Sequence, residues 1–107
     1  MFVIKEYQQS NGQSPFSGWL KGLDRSVRIQ VLRRIARFED GLFGDCKNLE
    51  NKLFEARFFI GPGYRVYFSK FEESIVLLLA GGDKSSQRRD IARAKNYLSD
   101  YLENQDV

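Results

Sequence analysis

Apolar and polar positions along the chain change period several times, and each change marks an element. Phe2-Val3-Ile4-Lys5-Glu6-Tyr7 is rich in aromatic and β-branched residues and predicts a first strand. After a polar stretch, Ser14-Pro15 is a helix-start signal, with Ser as N-cap and Pro at the first helical position. Trp19, Leu20 and Leu23 suit a short helix there. Asp24 is a second N-cap candidate, for a helix over about 25–40 whose apolar stripe is Val27, Val31, Leu32, Ile35 and Phe38. Arg33, Arg34 and Arg37 fall on its opposite side, and Gly41 supplies the stop.

Residues 42–51 read as a loop. Three strand-like segments follow, at about 53–60, 64–70 and 74–80, and their short links favour antiparallel hairpins. The last is apolar at every position from Ile75 to Leu79, so it belongs at the centre of the sheet, covered on both faces. Gly81-Gly82 ends it, and Asp83 is an N-cap candidate. A final helix carries Ile91, Ala94, Leu98, Tyr101 and Leu102 on one face. Its tail is acidic, with Asp100, Glu103 and Asp106. The expected fold is therefore α+β, a single domain over residues 1–107: strand, helix, helix, three-stranded antiparallel meander, C-terminal helix. The helical pair covers one sheet face and the final helix the other.

Alternation also sets a register. Phe54, Ala56, Phe58 and Ile60 share one face, and Glu55 and Arg57 the other. In the next strand Tyr64, Val66 and Phe68 oppose Arg65, Tyr67 and Ser69. A three-residue loop at 61–63 pairs Ile60 with Tyr64, Phe58 with Val66 and Arg57 with Tyr67, keeping like faces together. Arg57, Arg65 and Tyr67 then converge beside the final helix. Because Arg65 points away from the apolar face, its removal is expected to cost little stability.

Composition narrows the chemistry. The chain of 107 residues has 17 Lys+Arg against 14 Asp+Glu, a formal charge of +3, no histidine and one cysteine. Ser-His-Asp and Cys-His nucleophilic sites are excluded, as are zinc sites built from His and Cys. Proton transfer falls to Asp, Glu, Tyr or Lys. A lone Cys46 forms no internal disulfide and suits a reducing, cytoplasmic setting. No apolar stretch is long enough for a bilayer span, and the start reads as a strand rather than a signal peptide. Neither a metal nor any other cofactor is expected.

Cations accumulate near the expected Arg57/Arg65 face. Lys84, Arg88, Arg89, Arg93 and Lys95 follow the last strand, against Asp83 and Asp90 alone. Guanidinium groups among aromatic side chains suit a polyanion that also offers bases to stack. The plain alternative is an ordinary solvated polar face. The run Gly81-Gly82-Asp83-Lys84-Ser85-Ser86 lacks P-loop spacing and reads more simply as a flexible connector with an Asp cap. Lys84 stands apart, since a cation at a helix start opposes the dipole.

Three runs carry a family resemblance: Gly61-Pro62-Gly63-Tyr64-Arg65-Val66-Tyr67-Phe68, Val76-Leu77-Leu78-Leu79-Ala80-Gly81-Gly82-Asp83-Lys84-Ser85-Ser86-Gln87, and Asp90-Ile91-Ala92-Arg93-Ala94. Together they resemble the RelE/ParE superfamily of type II toxin–antitoxin toxins, and more narrowly its phage-derived, HigB-like "addiction module killer" branch. The resemblance covers about residues 2–98. One departure is Glu55-Ala56-Arg57, where the branch commonly has Glu-Leu-Arg. The resemblance implies a RelE-like microdomain neutralised by a cognate antitoxin protein. For the RelE and HigB branches it implies metal-free cleavage of mRNA on the ribosome, and for the ParE branch gyrase poisoning instead. An inactive toxin-like co-regulator is a third reading. For cleavage, Arg57, Arg65 and Lys84 would stabilise the phosphorane, Asp90 or Tyr67 would act as base, and Tyr67, Arg88 and Arg89 would contact RNA. Arg65 and Lys84 match the family's catalytic cations.

Overall fold

The computed structural model describes residues 1–104, so the acidic-tail residue Asp106 lies outside it. Five strands form one mixed sheet. These are β1 (Val3–Glu6), β2 (Cys46–Glu50), β3 (Leu53–Arg57), β4 (Arg65–Phe71) and β5 (Ile75–Gly82). Three helices pack on it: α1 (Pro15–Lys21), α2 (Arg25–Phe38) and α3 (Gln87–Asn104). A single 3-10 turn, Lys84–Ser86, leads into α3.

The sheet order is β1-β5-β4-β3-β2. β3, β4 and β5 form the expected antiparallel meander, with β5 inside. Val76, Leu77, Leu78, Leu79 and Ala80 are all buried there. Two features extend the sheet beyond expectation. β1 pairs with β5 in parallel, Val3 opposite Ile75, and residues expected as loop instead form β2, antiparallel to β3. Cys-Lys-Asn-Leu-Glu is a weak strand sequence because β2 is an edge. Only its inner partner must be satisfied, and charged side chains on an edge discourage further pairing.

Side-chain caps mark the start of α1 and of the turn into α3. Ser14 Oγ accepts from the Ser17 backbone N–H at 3.1 Å, ahead of Pro15. Asp83 accepts from the Ser85 N–H at 2.8 Å and forms a reciprocal capping box with Ser86. The Ser85 hydroxyl, which also donates to Asp83, is the main cause holding that carboxyl below its ordinary value. Asp24 sits at the N-cap of α2 without a side-chain bond. Gly41, at φ +76°, ends that helix in the left-handed conformation that glycine adopts without strain.

The two sheet faces carry separate cores. On one, Phe16 of α1 and Val31, Ile35 and Phe38 of α2 pack on Ala56, Val66, Phe68, Val76 and Leu78. On the other, Ala94, Ile91, Leu98 and Tyr101 of α3 pack on Leu53, Tyr67, Leu77 and Leu79. The apolar stripe of α2 is narrower than its spacing suggests, for Leu32 is 46% exposed. Arg34 is not on the solvent side either. Its guanidinium donates to Phe43 O at 3.1 Å, to Asp45 O at 2.7 Å and to Arg57 O, tying the approach to β2 onto the end of β3.

The β3–β4 register differs from expectation by two residues. Arg57 pairs with Arg65, Glu55 with Tyr67 and Phe54 with Phe68. The connection is longer than three residues, because Gly63 N–H donates to Ile60 O at 3.1 Å, closing a tight turn over 60–63 with Gly61 at φ +53° and Gly63 at φ +78°. A shift of two preserves the faces. Arg57, Arg65 and Tyr67 do lie on the α3 side.

Candidate functional site

Glu55 lies on the inner strand β3 and is only 2% exposed. A buried carboxylate needs partners, and three converge on its Oε2. Tyr67 donates at 3.0 Å and Gln87 of α3 at 2.9 Å. Arg65 brings its Nε to 3.5 Å. That last contact is an ion pair and not a hydrogen bond, since the buried Nε has no hydrogen-bond acceptor. Arg65 Nη1 donates to Gly63 O at 2.9 Å, which ties the guanidinium to the turn that precedes β4.

This arrangement revises two expected roles. Tyr67 is fully buried in the core beneath α3 and presents no ring to an RNA base. Burial, then the neighbouring Glu55 charge, push its phenol far above the ordinary value, which removes it as a general base. Arg65 reaches the surface only in part, its side chain 13% exposed, and it balances the Glu55 charge.

Lys84 stands beside Arg65. Its backbone N–H donates to Pro62 O at 3.3 Å. Gly63 lies between the two cations: a Cβ there would sit 3.5 Å from Arg65 Nη1 and 3.6 Å from Lys84 Cβ. The Gly-Pro-Gly turn therefore sets Arg65 and Lys84 on one corner of the molecule. Lys84 is exposed, as are Arg88 and Arg89 on the first turns of α3.

Arg57 and Asp90 are engaged elsewhere. Arg57 faces Asp45, with Nε and Nη2 at 3.1 and 3.2 Å from its two carboxylate oxygens. Both side chains are more than a third exposed. The Asp45 hydrogen bond raises the Arg57 pKa above its already high value. Asp90 is 4% exposed and accepts from the Ser86 hydroxyl. It lies directly against Gly82, where a Cβ would overlap its Oδ2. Trp19 presses on Gly81 in the same way. The two glycines are thus part of β5, required by close approach of Asp90 and Trp19, and are not a flexible connector. Cys46, partly buried, has its thiol pKa raised by that burial, which makes it a poor nucleophile.

The sequence reading missed Lys47. It pairs with Glu55 across β2–β3 and is exposed, on the face that carries Arg65. Its signal lay in the weak alternation of an edge strand. It also missed Gln87, whose amide links α3 to the Glu55 cluster.

No protein-family model matches the chain. It is 42% identical over 81 residues to an uncharacterized protein of Haemophilus influenzae, covering 75% of this chain and 82% of that one. Among the described residues, no helix is long and apolar enough to cross a membrane. At that identity and coverage, the chain belongs to one family with the Haemophilus influenzae protein.

Proposed function

We propose that the protein is the toxin of a type II toxin–antitoxin pair, a RelE-like domain that cleaves mRNA on the ribosome in the cytoplasm. The observation that carries this reading is the corner formed by Arg65 and Lys84. Two cations from different elements are brought to one turn, and the Arg65 guanidinium is held there by its Nη1 bond to Gly63 O and its ion pair with Glu55. That is what a developing phosphorane needs. In such cleavage the ribose 2′-oxygen attacks the adjacent phosphorus, the 5′-oxygen of the next nucleotide leaves, and negative charge builds on the non-bridging oxygens. Preorganised cations stabilise that charge more than they stabilise the substrate. The 2′-hydroxyl proton must also be taken up, and Tyr67 and Asp90 are both committed inside the fold. The chain therefore contributes charge stabilisation, while the ribosome holds the mRNA in line for attack.

The same lack of a poised base favours a second reading, a ParE-like inhibitor that binds gyrase and does no chemistry. In either case a cognate antitoxin would cover the basic surface or the helical pair with an acidic or amphipathic segment. Induced expression separates the readings. Rapid arrest of amino-acid incorporation with mRNA cut within codons supports cleavage. Induced DNA breaks with intact mRNA support gyrase poisoning. Absence of any growth defect overturns both and leaves an inactive co-regulator.

A further inference from the structure

Phe59 is 82% exposed, the most exposed aromatic ring among the described residues with large apolar side chains at the surface. It follows the buried Phe58, in the connection that leads to the Gly-Pro-Gly turn. Its ring centroid lies 5.9 Å from the Arg57 guanidinium carbon. Phe59 and Arg57 edge a shallow groove that Gln30, Arg34 and Asp45 also line. Gln30 is exposed, so its amide is available as both donor and acceptor. Arg57 spends Nε and Nη2 on Asp45, and its Nη1 has no protein acceptor among the described residues. An open aromatic face, an amide from α2 and a free guanidinium nitrogen from the end of β3 thus line one groove, beside the start of the Gly-Pro-Gly connection.

We infer that this groove is a subsite for one unpaired nucleobase of a single-stranded RNA, with Phe59 as its stacking platform. The inference rests on the RNA-cleaving reading above and names a subsite of that activity. The base stacks on the Phe59 ring, Gln30 and Asp45 face its hydrogen-bonding edge, and Arg57 Nη1 meets a flanking phosphate. Stacking of this kind tolerates any base, while the groove's amide and carboxylate supply preference. A polar residue at this position would serve the fold better, since the exposed ring gains little from packing.

The test uses the purified chain and a short 2′-O-methyl RNA oligonucleotide, which binds without being cut. Phe59→Ala is expected to weaken binding by roughly 5- to 100-fold, the range for one stacked base, with an unchanged melting temperature. Phe59→Leu should be as weak as Phe59→Ala, because it keeps apolar area but no π-face. Phe59→Trp should bind as the parent does, and its emission, corrected for Trp19, should be quenched by the oligonucleotide. Parent-like binding by Phe59→Leu, or an unquenched Trp signal in an RNA-bound protein, overturns the stacking role alone. No binding by the parent overturns this subsite, while the cleavage reading stands or falls separately on mRNA cut within codons after induction. Lost antitoxin affinity with intact RNA affinity assigns the ring to a protein partner and overturns the subsite.

Discussion

Arg65 lies with its Nε 3.5 Å from Glu55 Oε2, on adjacent strands, and the two side chains are 13% and 2% exposed. Glu55 is closed off from water, so Arg65 serves the fold as well as any substrate. Removing one partner of a buried pair strands the other charge and costs about 3–5 kcal/mol. Tyr67 and Gln87 still donate to Glu55 and soften the loss. Arg65→Ala is therefore expected to melt well below the parent, against the sequence-based expectation of little change. Pairing it with Glu55→Gln should recover part of the loss, because the stranded charge is gone. Thermal melting of the two singles and the double forms the cycle. A parent-like melting temperature for Arg65→Ala would overturn the structural role.

That revision shows what strand alternation can and cannot reveal. The pattern from Phe54 to Phe68 put Arg57, Arg65 and Tyr67 on the correct face, since face parity survives a slip of two residues. It did not show how deep that face lies. Tyr67 is buried because α3 crosses above it, a fact of tertiary packing that no local period encodes. The all-apolar run of β5 did announce burial on both sides. β2 and the parallel pairing of β1 stayed hidden, because edge strands need little apolar content and parallel partners lie far apart in sequence. Arg65 and Lys84 were named together only through the family resemblance, and the Gly-Pro-Gly turn that brings them together read in sequence merely as a short hairpin link. Glu55 and Gln87 were not legible, since a buried polar cluster looks in sequence like solvated charge.

Gly81 and Gly82 should tolerate no side chain. A Cβ at Gly81 would overlap the Trp19 ring, and one at Gly82 would overlap Asp90 Oδ2. Overpacking of this kind costs about 1–3 kcal/mol, occasionally more. Gly82→Ala is expected to destabilise the chain, and Asp90→Ala in the same background to restore part of the loss. Denaturant midpoints of the three proteins check this. A neutral Gly82→Ala would show that Asp90 moves aside freely.

Alkaline stability should report on Tyr7. Its hydroxyl donates to Asp100 at 2.5 Å, and burial followed by that bond raises its pKa to about 12, from an ordinary 10. A raised pKa means that folding favours the protonated phenol. The contribution is complete below pH 10 and is lost as pH rises through 12. Tyr7→Phe removes this bond and its pH dependence. The parent's melting advantage over Tyr7→Phe should hold constant up to about pH 9 and shrink between pH 10 and 12. A constant difference across that window would exclude the coupling.

Lys84 offers the cleanest separation of function from folding. Its side chain is exposed, and its role in the fold runs through its backbone N–H, which any residue but proline supplies. As a cation at the start of the turn into α3, it opposes the helix dipole rather than helping it. Lys84→Ala should therefore melt at or slightly above the parent. If Lys84 stabilises the phosphorane, its loss should slow cleavage by on the order of 10²–10³. Arg88→Ala, also exposed, should act differently. It removes one phosphate contact, weakening RNA binding about evenly across sequences and flattening its salt dependence by about one unit of slope. Growth arrest on induction, melting temperature and oligonucleotide affinity at several salt concentrations, read together, distinguish the two. A Lys84→Ala protein that folds and arrests growth as the parent does would remove Lys84 from the chemistry. The corner would then consist of Arg65 alone, whose own removal disturbs the fold.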